Sequence, residues 1–360
     1  MDDGSKGTPR MTVGVDLGDR YSYLCFVDTE SGEVLEESRV RTTQEAFECR
    51  FGSERHLHIA IEVGTHSPWV SRLLEECGHE VLVANARKVR LIYGDKRKND
   101  KLDAENLARL ARLDPKLLYP LRHRGEDSHA HMAIIRSREA LVSCRTQLVN
   151  HVRGAVKSFG GRLPKCPARS FHKKVVEHIP EAIWAALEPI LETIGSLTER
   201  IREYDRRLET LCQEHYPETD LLRQVEGVGA LTALTFVLTL EDPYRFAKSR
   251  SVGAYLGLVP ARDQSGDRDP QKHISKEGDE MLRKLLVGNA HYVLGPFGSD
   301  SDLRRHGEKI ASRGGKNAKK RATVAVARKL SVLLHRLWVT GELYDPLYDT
   351  HRRAEQQQAA

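Results

Sequence analysis

Four carboxylates, far apart in the chain, stand where they could hold divalent metal ions. Asp100 and Asp103 lie three residues apart in KNDKLDA (98–104), on one face of a helix whose apolar positions are Leu102, Leu107, Leu110 and Leu113. Asp16 ends the strand-like VGVD, and Glu62 ends the strand-like IAIE. Each has a plainer reading. Aspartates at a helix start serve as caps, Asp16 in VDLGD would equally suit the phosphate loop of an actin-like kinase, and Glu62 could close a surface strand. Brought together, the four would repel one another and need a cation. Magnesium is a hard ion satisfied by carboxylate oxygens, water and phosphate, and manganese can replace it. Two such ions about 4 Å apart can activate an attacking oxygen and stabilise a departing one in phosphoryl transfer. Lys98 and Lys101, beside the paired aspartates, would then hold the polyanion that carries the reacting phosphate.

The elements that must position these groups are legible in outline. Met11 to Asp28 reads as strand, turn, strand, with TESGE (29–33) as the next turn and Val34 opening a third strand. A helix over 42–49, a buried strand over 56–63, a helix over 67–77 closed by Gly78, and a strand over 80–84 follow. The pattern predicts a mixed α/β sheet in a first domain over 11–120, with the helix after Asp100 covering one side. A helical linker and coiled coil is expected over 121–218, because Ile183, Leu187, Ile190, Ile194, Leu197, Ile201, Tyr204, Leu208 and Leu211 repeat at heptad spacing. Pro189 could kink its first turns. A mainly helical domain over 219–340 contains a Gly227-Val228-Gly229 turn between helices. Such a turn suits close approach to a phosphate, and equally a plain interhelical connection. Helices are expected over 276–293, with Ser275 as N-cap, and over 300–311 and 317–338. The tail over 341–360 should end disordered from His351. The fold class is thus α/β plus α.

Lys and Arg total 57 against 51 Asp and Glu, a net charge of +6. Its distribution matters more: 300–336 holds eleven Lys/Arg against three acids, 122–162 eight against three, and 181–220 ten acids against four arginines. Basic blocks flanking an acidic rod suggest a nucleic-acid partner. The phosphate-holding candidates are Arg136, Arg145 and Arg153 in the first block, Lys276, and Lys316, Lys319, Lys320 and Arg321 at the head of the last helix, together with Gly227 and Gly229. Six scattered cysteines form no C-x-x-C pair, which argues against zinc and disulfides. No apolar run reaches the roughly 18 residues of a membrane span, and no secretory leader is evident, so the expectation is a cytoplasmic protein, nucleoid-associated when active.

Asp on a first strand, Glu on a later one, then D-x-x-D on a helix is the RuvC/RNase H order. Together with VEGVG (225–229), YLGLVP (255–260), Ser265-Gly266, ISKEG (274–278) and Leu282-Arg283, these pieces resemble, in order, the DEDD transposases of the insertion-sequence one-ten family. The resemblance runs from about Val13 to Trp338. It implies an N-terminal RuvC-like domain, a coiled coil and a C-terminal transposase domain, with Asp16, Glu62, Asp100 and Asp103 as metal ligands and Ser265 as nucleophile. It also implies donor and target DNA as substrates, a bridge RNA as guide, and a homo-oligomer, dimer or tetramer. Two departures stand out: V-G-T follows the glutamate where A-T-G is usual, and Asp263, Asp267 and Asp269 make the serine's flanks acidic.

The implied serine has a physical rationale. Attack by water would discard the phosphodiester's free energy, whereas a phosphoserine linkage keeps it for rejoining. Gly266 permits close backbone approach in a polar loop. The competing readings are a structure-selective resolvase that uses water, with Ser265 inert, and a non-catalytic nucleic-acid-binding protein. An actin-like kinase would require further glycine-rich phosphate motifs, and none follows the carboxylates.

Overall fold

The computed structural model describes residues 11–89, 99–266, 268, 270 and 272–358. Lys98, Asp267 and Asp269 lie outside the described residues. The chain divides into two compact units, Met1–Arg124 and Gly125–Ala360.

The first unit is built on β1 (Met11–Asp16), β2 (Tyr21–Asp28), β3 (Val34–Arg41), α1 (Gln44–Phe51), β4 (His58–Glu62), α2 (Ser67–Glu76), β5 (Glu80–Ala84) and α3 (Asp100–Leu113). Its five strands run in the order β3-β2-β1-β4-β5. The β1-β2-β3 meander is antiparallel, and β4 and β5 add in parallel. This is the mixed sheet that the sequence pattern predicts.

Both faces of the central strands are covered, and alternation assigns each residue to a face. Val13, Val15, Leu24, Phe26, Ile59 and Ile61 pack with Phe47 and Phe51 of α1 and with Val70, Leu73 and Leu74 of α2. On the other face, Cys25 and Val27 meet Ala104 and Ala108 of α3, while Ala60 and Ala84 meet Leu107 and Ala111. Small residues line this second face because α3 lies almost on the sheet backbone. A Cβ added at Gly14 would fall 1.9 Å from the Ala104 carbonyl oxygen and 2.6 Å from the Ala108 nitrogen. At its far end α3 is tied to the β2–β3 turn by Arg112, which donates to the carbonyls of Thr29 (2.9 Å) and Glu30 (2.7 Å).

Buried His79 fastens the entry to β4. Its Nδ1 accepts from Leu57 N at 3.3 Å, so its Nε2 carries the proton donated to the Phe51 carbonyl at 3.1 Å. Burial holds this imidazole below its ordinary pKa.

The second unit is helical. α4 (Glu126–Ser158) and α5 (Trp184–His215) pair as an antiparallel hairpin: Val149, Val152 and Val156 meet Leu187, Leu191 and Ile194 at one end, and Met132 and Ile135 meet Leu208 and Leu211 at the other. The heptad stripe is thus used within the chain, and the helix runs unbroken through Pro189. α6 (Glu218–Arg223), α7 (Ala230–Leu240), α8 (Arg250–Tyr255), α9 (Glu280–Val293), α10 (Asp302–Ala311) and α11 (Ala318–Thr340) share a core around Phe236, Leu282, Leu286, Leu330 and Leu334.

Two expectations are corrected here. The helix expected from Lys276 begins at Glu280, because Asp279 is the N-cap, accepting from Leu282 N at 2.9 Å; Lys276 sits in the left-handed region at φ 56°. The tail expected to be disordered carries α12 (Tyr348–Gln358), whose first turn is held by Asp302 through Asp349 N (2.7 Å), Thr350 N (3.4 Å) and Thr350 Oγ1 (2.6 Å). No described helix is long and apolar enough to cross a membrane.

Two outcomes follow. Gly14→Ala is expected to lower stability by about 3 kcal/mol, read as the urea midpoint, because two backbones cannot separate without opening the layer. For His79 the folded state binds fewer protons than the unfolded chain, so its contribution is complete above pH ~6.5 and is lost as pH falls. Replacing His79 with Gln should flatten that part of the urea-midpoint profile.

Candidate active site

Asp16 is the last residue of β1, and α3 begins beside it. Asp16 and Gly14 share a strand face by alternation, and Gly14 touches α3, so the Asp16 side chain leaves the sheet on the α3 side. Asn99 is the N-cap of that helix, accepting from Lys101 N at 3.2 Å. The capping role is therefore filled without either aspartate. Asp100 and Asp103 occupy the first and fourth helical positions, one above the other.

The result is a convergent triad. One carboxylate oxygen from each of Asp16, Asp100 and Asp103 lies within 4.8 Å of the other two, with Asp16 and Asp103 half-buried and Asp100 exposed. Glu62 ends β4, next to β1, and shares the face of Ala60, which packs against α3. Of the four carboxylates expected to converge, the three aspartates form the tight group, and Glu62 stands at the adjoining strand end.

The donor set decides which ion it fits. All three ligands are hard oxygens with no imidazole or thiolate among them, which suits magnesium or manganese rather than zinc. Cys25, further along β2 on the same face, is pushed up to about 11 by burial and then by Glu105 and Glu37, so it stays a neutral thiol.

Ser265 sits at the exposed tip of a narrow loop whose base is bridged at Pro260 and Ile274. Its backbone exchanges two hydrogen bonds with Arg268, 3.0 and 3.1 Å, and Gly266 takes the left-handed conformation the turn requires, φ 57°. Asp263, whose charge looked unfavourable beside DNA, is ion-paired with Lys272. Arg262 and Arg268 are exposed on either side of the serine.

The predicted phosphate-holding residues divide into two groups. Lys101, Lys276, Lys316, Lys319, Lys320 and Arg321 are exposed, the last four around the start of α11. That first turn contains no acid, so its cations sit at the positive end of the helix dipole, with Arg321 donating to the Gly314 carbonyl at 3.3 Å. Arg136 is exposed, 4.0 Å from Asp279. Arg145 and Arg153 are half-buried and make contacts within the helical unit. Arg145 enters the α4–α5 interface, donating to Thr198 Oγ1 at 3.3 Å, and burial pushes its pKa down. Arg153 donates to the Pro164 carbonyl at 3.2 Å and lies 5.0 Å from the Phe171 ring.

Gly227 has φ 87°, and a Cβ there would fall 2.8 Å from the Tyr292 ring. Gly229 is the N-cap of α7, with no side-chain capping bond. Glu226 braces this turn by accepting from Ser299 N at 3.0 Å, a link to a second glycine-containing connection between α9 and α10. The sequence reading missed that second connection, although Gly295-Pro296-Phe297-Gly298 signals it.

Comparison with known proteins gives a consistent picture. Residues 13–160 match the DEDD family model of the IS110 group, described as a transposase. Residues 219–302 match the model described as Transposase IS116/IS110/IS902 family. The chain is 27% identical over 341 residues to the transposase for insertion sequence element IS1111A of Coxiella burnetii, covering 92% of this chain and 90% of that one. It is 29% identical over 285 residues to the transposase for insertion sequence element IS1328 of Yersinia enterocolitica, covering 78% and 83%.

The triad predicts opposite effects on stability and on ion binding. In metal-free protein, Asp103→Asn removes a like charge and should raise the unfolding temperature by a few degrees, about 1 kcal/mol. The same change should remove the further rise that added Mg2+ produces in wild type, as scanning calorimetry would read.

Proposed function

Because the chain belongs to the IS110 family of DEDD transposases, we propose that it cuts and rejoins DNA strands through a serine-linked intermediate at a magnesium-assisted centre. The observation that carries this reading is the convergence of Asp16, Asp100 and Asp103 at the mouth of the sheet. Glu62 is assigned as the fourth carboxylate, closing the centre from β4.

Bound there, one or two Mg2+ ions would supply positive charge to the reacting phosphate and polarise its oxygens. The chain's own part is separate. Asp16, Asp100, Asp103 and Glu62 would hold the ions, and Lys101 would hold the neighbouring phosphate. Ser265 Oγ attacks phosphorus, and the bond from phosphorus to the 3′ oxygen breaks. The serine proton is replaced by the new P–O bond, and a proton completes the leaving 3′ hydroxyl. A 3′ hydroxyl from a second strand then attacks the 5′-phosphoserine, restoring both the diester and the serine. One diester is exchanged for another, so no external energy source is needed.

In this reading residues 11–120 form the metal-binding domain and residues 219–340 the strand-transfer domain, joined by the helical hairpin. Lys276 and the cluster Lys316, Lys319, Lys320 and Arg321 hold phosphates, with Gly227 and Gly229 giving close backbone access. Donor and target DNA are the substrates. A bridge RNA selects them, and the active species is a dimer or tetramer. The exposed position of Ser265 suits delivery to a centre completed on assembly.

The test uses covalent trapping. Wild-type protein with Mg2+ and DNA carrying the element ends should give adducts that survive denaturation. Ser265→Ala should abolish them with divalent-ion binding intact, and Asp100→Ala should lower their yield at least 100-fold. Cleavage without an adduct would identify a water-using nuclease instead, and adducts from Ser265→Ala would remove the serine assignment.

A further inference from the structure

The carboxylate centre is one end of a longer row. In the sheet register Asp16 stands opposite Tyr23, and Tyr23 opposite Arg39. Tyr21 stands opposite Arg41 one step further along. Residues in register share a face, so Asp16, Tyr23, Arg39, Tyr21 and Arg41 all leave the sheet on the α3 side.

α3 covers only part of that face. It packs on Cys25 and Val27, touches Tyr23 at its edge, and begins at Asp100. Beyond its first turn the sheet carries two tyrosines and two arginines with no helix over them among the described residues. Tyr21 is 39% exposed, and both arginines are exposed. The Arg39 guanidinium lies over the Tyr21 ring, 4.8 Å from its centroid. Tyr23, Ser38, Arg39 and Lys101, with Leu24 and Glu37, line a shallow cavity between α3 and the β2–β3 edge.

We propose that Tyr21, Tyr23, Arg39, Arg41 and Lys101 form a stacking and phosphate-clamping platform for unpaired DNA bases next to the phosphate held at the carboxylate centre. This rests on reading that centre as the site of strand cutting. Three features favour this occupant. Aromatic rings interleaved with cations suit stacked bases joined by phosphates. Arg39, Arg41 and Lys101 outnumber Glu37 on this strip, and Glu105 beyond it is paired with Arg109, which leaves the described strip cationic beside an acidic centre that needs metal ions to accept a phosphate. The platform is also continuous with Asp16 through Tyr23, so a strand on the carboxylates reaches it within a nucleotide or two. Platform residues would splay and hold bases while the carboxylates position the adjoining diester.

The test is titration of the full chain into an oligodeoxynucleotide bearing the fluorescent base aminopurine, whose emission falls when it stacks. Tyr21→Ala and Arg39→Gln are expected to weaken the quenched complex about tenfold each, and Tyr21→Phe to stay within about twofold of wild type. Arg39→Gln should also reduce the slope of log affinity against log salt by about one. Mn2+ binding, followed by electron paramagnetic resonance, should be unchanged in all three, which confirms an intact fold and centre. Unchanged DNA affinity and quenching in Tyr21→Ala and Arg39→Gln would overturn the platform, as would tighter platform-dependent binding of the matching RNA strand. Loss of the underlying reading looks different: Asp103→Asn would then leave Mn2+ binding and adduct yield untouched, whatever the tyrosine does.

Discussion

The close contact between α3 and β1 is the constraint on which the first unit depends. Gly14 leaves no side chain between the strand and the helix, so the carbonyl of Ala104 can rest where a Cβ would stand. Ala60, Ala84, Ala104, Ala108 and Ala111 extend the same economy of volume across the layer. A helix held this near the sheet must start where β1 ends. That brings Asp100 and Asp103 over Asp16, and the Arg112 contacts with the β2–β3 turn fix the helix at its other end. The opposite face is built differently, with Phe47, Phe51, Leu73 and Leu74 filling a thick layer. One face gives bulk burial and the other gives placement.

Placing like charges together carries an energetic cost that the fold bears. Three carboxylates within 4.8 Å repel in the absence of a cation, and burial of Asp16 and Asp103 strengthens that repulsion. Asn99 takes over the cap that the aspartates could have formed, so their oxygens stay directed at one another. At the start of α11 the sign is reversed: Lys319, Lys320 and Arg321 crowd the positive end of a helix whose first turn holds no acid. Both arrangements are locally unfavourable and become favourable with a partner of opposite charge.

In the helical unit part of the local charge excess is met within the fold. Over the basic stretch 122–162, Arg145 donates to Thr198 and Arg153 to the Pro164 carbonyl. Arg138 likewise pairs with Asp205 at 2.6 Å. Asp205 is one acid of 181–220 that meets the basic block across the hairpin, so part of each excess cancels in three dimensions.

The sequence by itself determined the strands and helices, the heptad stripe, the glycine turn and the family, because alternation, 3.6-residue periodicity and ordered motifs are local or additive signals. It also identified Asp16, Glu62, Asp100 and Asp103 as residues that could share an ion, of which the three aspartates form the tight group. Tertiary structure decided what spacing cannot carry. The start of the helix at Glu280 follows from which side chain reaches Leu282 N, and order in the C-terminal helix follows from Asp302, more than forty positions earlier. The contact of Arg145 with Thr198 depends on a partner across a hairpin. The cross-strand row from Asp16 to Arg39 exists only once register is set, since neighbours in a sheet are fixed by pairing rather than by distance along the chain.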